Sequence, residues 1–146
     1  MFHLAVSCRP HLFGKLIDQL LADKIIGTSE MVYREIVNYG SELGQWIKTR
    51  KQNGLCIAIN PDVEDHYAKI AEYVQSRYDN PNANEFLRGA DGWIIAHAIH
   101  SKSIAVSQES QKHSQAKKAR IPDVCDHFNV KCIKLIDMLK AQDAVL

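Results

Sequence analysis

Four acidic residues stand where the sequence predicts that a helix or a strand begins or ends. Asp91 opens an apolar helical run, and Glu109 follows an apolar stretch. Glu35 shares one helical face with apolar neighbours, and Asp123 follows a proline at a helix start. Carboxylates that cluster repel one another and lose hydration, so they usually do so to hold a hard cation. These residues therefore indicate metal-dependent chemistry on a phosphate.

Each acid also has an ordinary structural explanation. Asp91 and Asp123 are of a type that caps helices, and Glu109 can be a solvated loop residue. Glu35 can lie at the rim of its apolar face or pair with an arginine. Ligands of open α/β sheets bind beyond the carboxyl ends of the strands, so the joint position of the acids at element ends favours one shared site.

Other groups give weaker signals. His97 and His100 are three residues apart on a helix, but no glutamate stands between them as in the H-E-x-x-H motif, which favours core or surface histidines. Ser107 could be a hydroxyl ligand. Neither a Walker loop nor a dinucleotide motif is present. A basic segment could bind phosphates, although a mobile solvated linker is the simpler interpretation; its cationic candidates are Lys112, Lys117, Lys118 and Arg120.

Hydrophobic spacing predicts the elements that must position these residues. Helices are expected over 12–21, 30–39 and 63–78, with further helices that start near Ser41, Asp91, Pro122 and Asp137. Buried strands are expected over 103–108 and 130–135, and 55–59 is either a strand or an extended loop. Gly27 is expected to end the first helix, Thr28 or Ser29 to cap the second, residues 60–62 to form a turn and cap before the helix over 63–78, and 79–84 to form a polar loop. This alternation predicts an α/β fold with a parallel sheet.

Composition limits the class of protein. A chain of 146 residues with a net charge of +1 is expected to form a single domain, 1–146, and global charge selects no partner. Its four cysteines form no C-x-x-C pair, which favours free thiols in a reducing compartment. We expect no secretion leader, and no apolar run is long enough for a membrane span. A cytoplasmic location without membrane contact is therefore predicted.

Several segments resemble a bacterial subgroup of the PIN-like domain family. They are NPNANEFLRGADGWIIAHA (80–98), VSQE (106–109), KKARIPDVC (117–125) and VKCI (130–133), and upstream SEMVYREI (29–36) looks like the motif with the second acid. The resemblance covers about residues 12–139 and is most specific from residue 80 onward.

The resemblance implies a three-layer α/β/α fold with a short parallel sheet. PIN domains gather three or four acids that bind Mg²⁺ or Mn²⁺ and cut RNA, often as toxins restrained by a cognate antitoxin. It implies Glu35, Asp91 and Glu109 as metal-site acids, Asp123 as a further candidate for catalysis, and RNA-backbone contacts from the basic segment. The alternative is a catalytically inactive PIN-like remnant that binds a protein partner or RNA.

The start of the chain departs from the family. PIN-like domains begin with a short strand that ends in an Asp-Thr-Asn-like motif, whose aspartate is the first metal ligand. No acid precedes Asp18 here, and Asp18 falls within the first predicted helix. The N-terminal strand is therefore predicted to be missing or replaced, through a truncated or misassigned start. Either residues 1–7 or a second copy in a homodimer would then cover the open position in the sheet.

Overall fold

The computed structural model describes residues 2–4, 10–111 and 117–142, with side chains from residue 14 onward. Within these ranges, short strands alternate with helices. The strands are β1 (Phe2–Leu4), β2 (Ile26–Ser29), β3 (Cys56–Ile57), β4 (Ile104–Val106) and β5 (Cys132–Ile133). The helices are α1 (Pro10–Ala22), α2 (Glu30–Asn38), α3 (Glu42–Lys48), α4 (Pro61–Arg77), α5 (Asn80–Arg88), α6 (Asp91–Ser101), α7 (Ile121–His127) and α8 (Leu135–Ala141), with one 3-10 turn at Lys51–Asn53.

The strands form one parallel sheet in the order β3-β2-β1-β4-β5. The chain moves outward from β1 through β2 to β3 and then crosses back to β4 on the other side of β1. The strand order therefore reverses between β1 and β4, which is the switch point at which open α/β sheets bind ligands. The predicted α/β class with a parallel sheet is confirmed.

The N-terminal strand β1 occupies the centre of the sheet. Phe2 aligns with Ile26 of β2 on one side and with Ile104 of β4 on the other. The N-terminal strand was predicted to be missing or replaced, with residues 1–7 or a second copy covering its position. Residues 2–4 fill that position, so the central strand is not missing. In the sequence, Leu4 is followed by Ala5 rather than by an acid. Because β1 holds the centre, no open position remains there for a second copy to cover.

Helices cover both faces of the sheet. Successive residues on a strand point to opposite faces, and in β4 Ala105 belongs to one core while Val106 belongs to the other. The first core contains Ile70 and Val74 of α4 and Ile95 of α6, and the second contains residues of α1, α3 and α8. Burial of such a side chain contributes roughly 1.5–3 kcal/mol, so these two layers hold the sheet between them.

Three helix starts are capped by the residues that the sequence predicts. The Met31 N–H donates to Ser29 Oγ at 3.2 Å, the Gly44 N–H donates to Ser41 Oγ at 3.2 Å, and the Val63 N–H donates to Asn60 Oδ1 at 2.9 Å. Ser29, rather than Thr28, is therefore the cap of α2. Each such cap stabilises the fold by about 1 kcal/mol.

Strand β2 was not predicted, because Gly27 looks like a helix end. Helix α1 instead ends at Ala22, and Gly27 lies inside the strand. A Cβ at residue 27 would lie 2.5 Å from Cδ1 of Ile57. Glycine thus leaves room for the Ile57 side chain of β3 and does not form a turn here.

The predicted polar loop over 79–84 is also wrong, since most of it belongs to α5. Asp79 Oδ1 accepts a hydrogen bond from the Asn82 N–H at 3.0 Å, and Pro81 stands in the first turn, where a missing N–H does no harm.

Among the described residues, no helix has the length and apolar character needed to span a membrane.

Candidate functional site

Three of the four predicted acids line one cleft of about 230 Å³. Glu35 comes from α2, which directly follows β2, and Glu109 comes from the segment after β4. Asp91 is the first residue of α6. All three therefore lie at the carboxyl ends of the strands, around the switch point beside β1. Apolar residues line the rest of the cleft, among them Val32, Ile36, Ile94 and Ile121.

Glu35 holds the start of α6. Its Oε1 accepts a hydrogen bond from the Ala90 N–H at 2.9 Å, and Ala90 is the N-cap residue of that helix. The Glu35 residue itself is exposed, as expected for a position at the rim of an apolar face. Its negative charge also lies next to the positive end of the helix dipole, which is a favourable interaction.

Glu109 holds the start of α7 in the same manner. Its Oε2 accepts a hydrogen bond from the Ile121 N–H at 2.7 Å, and its own N–H donates to Ser107 Oγ at 3.1 Å. Glu109 is thus half-buried and not a solvated loop residue. Sequence reasoning missed both backbone partners of the glutamates. The available signal was that residues 90 and 121 stand at helix starts, where N–H groups need acceptors.

Asp91 is the most strongly perturbed acid in the cleft. Burial, followed by the negative charges of Glu109 and Glu35, raises its pKa to about 6, while the charge of Lys118 opposes the shift. Because Ala90 occupies the N-cap, the alternative that Asp91 caps α6 is wrong. The two glutamates are thus close enough to Asp91 to act on its charge.

Asp123 lies elsewhere. It is the third residue of α7 and lines a separate cavity of about 370 Å³ with Tyr73, Arg77 and Tyr78. Its charge contributes to the raised pKa of Tyr78, after burial and the effect of Tyr73. The structure therefore does not bring Asp123 into the cleft of the other three acids. Residue 120 holds the N-cap position of α7, so Asp123 does not cap that helix either.

The basic candidates are only partly described. Lys118 lowers the pKa of Asp91 and forms an exposed ion pair with Glu85, with 2.6 Å between Nζ and Oε1. Lys117 is exposed and Arg120 is half-buried, whereas Lys112 lies outside the described residues. Lys118 therefore has an electrostatic link to the cleft.

The two histidines lie at the opposite end of α6. His97 is 2% exposed, and its pKa is lowered to about 4 by burial and then by His100. Both line a largely apolar cavity of about 380 Å³ together with Asn60, and the distance from Asn60 Nδ2 to His100 Nε2 is 3.5 Å. His97 is thus a core histidine, as expected from its sequence context.

The acids of the cleft have the right chemistry for a hard cation, because carboxylate oxygens are its preferred ligands. The pKa of Asp91 is raised first by burial and then by the two neighbouring carboxylates, and a bound cation would offset both effects. Across 14–111 and 117–142, however, no three Asp, Glu, His or Cys side chains form a group that could hold a metal ion. Glu35 and Glu109 each direct one oxygen to a helix start, so a shared cation would require them to turn toward Asp91.

A parallel sheet with helices on both faces and an acidic cleft at its switch point defines an α/β protein with a candidate ligand site. The chain belongs to the family described as a domain of unknown function, DUF4411, whose family model matches residues 3–146. No curated protein matched the sequence. The description of this family names no activity.

Proposed function

We propose that this chain is a PIN-like ribonuclease that cleaves RNA with Mg²⁺ or Mn²⁺. One observation carries the proposal: Glu35 and Glu109 share a cleft with Asp91, whose pKa is raised by burial and then by the charges of both glutamates. Carboxylates from three separate parts of the chain remain together despite their mutual repulsion, which is the usual arrangement of a cation site. The sequence resemblance to PIN-like domains supports the same chemistry.

The residues of the cleft take different roles in this proposal. Asp91, which is half-buried on the first turn of α6, is the central ligand, and the glutamates complete the site after turning from their N–H partners. A bound divalent ion would supply positive charge against a phosphate oxygen and lower the pKa of a bound water. Protonation of Asp91 below about pH 6 would weaken cation binding, because its carboxylate loses its charge.

Side chains that could bind the RNA substrate lie near the acids. Tyr39 is 85% exposed, and its N–H donates to the carbonyl oxygen of Glu35 at 3.3 Å, which puts it one helical turn away. An exposed ring can stack on an unpaired base, and nearby Lys117 and Lys118 can hold phosphates without reading sequence. These features favour single-stranded RNA over a duplex as the substrate.

The biological role that we propose is that of a cytoplasmic toxin restrained by a cognate antitoxin protein. This role follows from the resemblance to PIN-like domains, many of which act in such pairs. A reducing cytoplasm agrees with the free thiols of Cys56, Cys125 and Cys132.

A second candidate function is an inactive PIN-like remnant that binds RNA or a protein partner. Two observations favour it. The strand β1 is followed in sequence by Ala5, where the related family has its first acid. In addition, the acids described in the cleft do not form a three-ligand group in their present orientations.

An RNA-cleavage assay with and without EDTA separates the two functions. The wild-type chain should cleave single-stranded RNA with Mg²⁺ or Mn²⁺, and EDTA should abolish cleavage. Asp91→Asn should lower the rate by on the order of a hundredfold or more, a loss typical for removal of a key electrostatic group. Asp123→Asn is the matched control and should keep most of the activity, because Asp123 lines a different cavity.

RNA binding, measured by fluorescence anisotropy, is the second readout. Binding without cleavage under any divalent ion would support the inactive remnant. Equal cleavage by the wild type and by Asp91→Asn would contradict the assignment of the site.

A further inference from the structure

The largely apolar cavity of about 380 Å³ at the His97 end of α6 is separate from the acidic cleft. Its volume falls within the range of small-molecule sites, which is roughly 300–1,000 Å³. Leu21 and Ile26, which are each 2% exposed, line it, and Ile57 of β3 adds a further apolar side chain. The cavity therefore has the size and the apolar surface to take the body of a small ligand.

Two tight turns border this cavity and fix its shape. At the end of α1, Lys24 has a φ of 54°, and its N–H donates to the carbonyl oxygen of Leu21 at 3.0 Å. The next N–H, that of Ile25, donates to the carbonyl oxygen of Leu20 at 2.8 Å. Gly54 forms the second turn, before β3, with a φ of 84°. Because the backbone holds the cavity open, a ligand would not have to order its walls on binding.

The polar side chains at the rim include strong hydrogen-bond donors. Asn60 Oδ1 accepts a hydrogen bond from the Val63 N–H at 2.9 Å, which fixes the amide, and its Nδ2 lies 3.5 Å from His100 Nε2. Asn60 therefore offers N–H groups to the cavity, and the ammonium group of Lys24 also only donates. Among the described residues that line the cavity, no aspartate or glutamate is present. Such a rim favours a negatively charged acceptor over a cation.

We propose that this cavity binds a small carboxylic acid in its ionised form, with an aromatic or branched aliphatic body. The body fills the space beside Leu21, Ile26 and Ile57, and the carboxylate accepts hydrogen bonds from Lys24 and Asn60. A carboxylate has only acceptors, which matches the donors at the rim. This site is independent of the proposed RNA cleavage, so either proposal can fail without the other.

The experiment compares three probes that share a body and differ in charge: phenylbutyrate, phenylbutanol and phenylbutylamine. For a ligand of about twelve non-hydrogen atoms, we expect phenylbutyrate to bind with a Kd on the order of 0.1–1 mM. The alcohol should bind about twofold to fivefold more weakly, which is the usual effect of losing an exposed ion pair, and the amine more weakly still. Amide NMR spectra of the isotope-labelled full chain measure each affinity, and the shifted signals should fall in 24–26, 54–58 and 97–101.

A bulky side chain tests the position of the apolar body. Ala58 is exposed and lines the cavity, so the indole ring of Ala58→Trp should occupy part of it and weaken phenylbutyrate binding at least about tenfold. Ala68→Trp is the matched control, because Ala68 is an exposed alanine of α4 that does not line the cavity. It should bind like the wild type.

Removal of one charge tests the position of the carboxylate. Lys24→Gln should weaken phenylbutyrate binding about twofold to fivefold and leave phenylbutanol binding unchanged. Lys102→Gln is the matched control, since Lys102 is also exposed and also follows a helix with a positive φ, of 51°. It should leave both affinities unchanged.

Thermal unfolding checks that the variants fold, and the three probes on the wild-type chain are decisive if a variant does not. The proposal would be overturned if phenylbutyrate does not bind, if its shifted signals lie outside the cavity, or if the amine binds as tightly as the carboxylate. Binding to folded Ala58→Trp with wild-type affinity would also overturn it.

Discussion

The two ends of α6 carry ionisable side chains whose pKa values are shifted in opposite directions, mainly by burial. Burial is the largest of several effects on both, and together these effects raise the pKa of Asp91 to about 6 and lower that of His97 to about 4. Burial always disfavours the charged form, so an acid and a base move in opposite directions. Like charges add to each shift, from Glu109 and Glu35 at one end and from His100 at the other.

The opposite pKa shifts of Asp91 and His97 have different consequences at neutral pH. His97 is neutral there, so its burial carries no charge cost. Asp91 is mostly ionised there and therefore lowers the stability of the fold. Protonation of Asp91 or a bound cation would remove this loss of stability. Because Asp91 is mostly ionised near pH 7 or above, only a cation would do so there. At neutral pH the His97 end of α6 thus carries no buried charge, whereas the Asp91 end would be stabilised by a positively charged ligand.

The largest expected effect is on the acidic end. The folded-state pKa of Asp91 lies above its usual value, so its ionised form costs stability at high pH and the cost disappears as the pH falls through about 6 toward 4. Asp91→Asn should therefore raise the unfolding free energy by about 2–3 kcal/mol at pH 8 without divalent ions, and by almost nothing at pH 4. Urea denaturation at the two pH values measures both.

The control is Glu72→Gln, which neutralises an exposed carboxylate in α4 and should change stability by less than about 0.5 kcal/mol. A variant of Asp91 that is less stable than wild type at pH 8 would contradict the repulsion in the cleft.

The histidine end should show the opposite pH dependence. Because the pKa of His97 is lowered in the folded state, the wild type loses stability as the pH falls from about 6.5 to about 4. His97→Gln lacks that loss, so its stability relative to wild type should improve by roughly 2 kcal/mol between pH 7 and pH 4, after allowance for solvent screening. Any packing defect is common to both pH values and cancels in the comparison. If the stability difference between His97→Gln and the wild type is the same at pH 7 and pH 4, the two ends of α6 do not differ in the predicted way.

Divalent ions should act only on the acidic end. At about ten times its dissociation constant, Mn²⁺ or Mg²⁺ should stabilise the wild type by about 1.4 kcal/mol, which corresponds to a rise in Tm of roughly 3–6 °C. Asp91→Asn should show little of this rise, and His97→Gln should retain it. Differential scanning fluorimetry with EDTA as the reference measures the shift, and an equal shift in all three proteins would place the ion elsewhere.

The smallest effect concerns Lys118. The charge of Lys118 lowers the pKa of Asp91, so Lys118→Met should raise that pKa. As the pH falls, the fold should then gain stability from protonation of Asp91 at a higher pH than in the wild type. Overall stability should change by less than about 0.5 kcal/mol, because the ion pair with Glu85 is exposed. Urea denaturation across pH 5–8 measures the midpoint, and a midpoint that moves downward would be the wrong sign.

The sequence predicted the elements whose local signals agree with their tertiary role. Ser29, Ser41 and Asn60 have the right side chains and backbone for helix caps, and each is followed by a regular apolar spacing. Strand β2 escaped prediction because Gly27 serves the packing of Ile57, a contact between residues far apart in the chain. Sequence spacing contains no direct sign of such a contact.

The acids show the same limit. Asp91 and Asp123 both stand in the first turn of a helix, and local sequence treats them alike. Only tertiary packing turns Asp91 toward the cleft of Glu35 and Glu109 and places Asp123 beside Tyr78. The shared position at element ends predicted three of the four acids in one cleft, but not which residue would be separate.

The central position of β1 has a consequence for synthesis. Its first neighbour follows within about twenty-five residues, but β4, on its other side, lies about one hundred residues later. At the usual rate of translation, roughly 5–20 s pass before β4 is made. The middle of the sheet therefore waits half-paired on the ribosome, where a chaperone that covers the nascent chain would reduce misfolding.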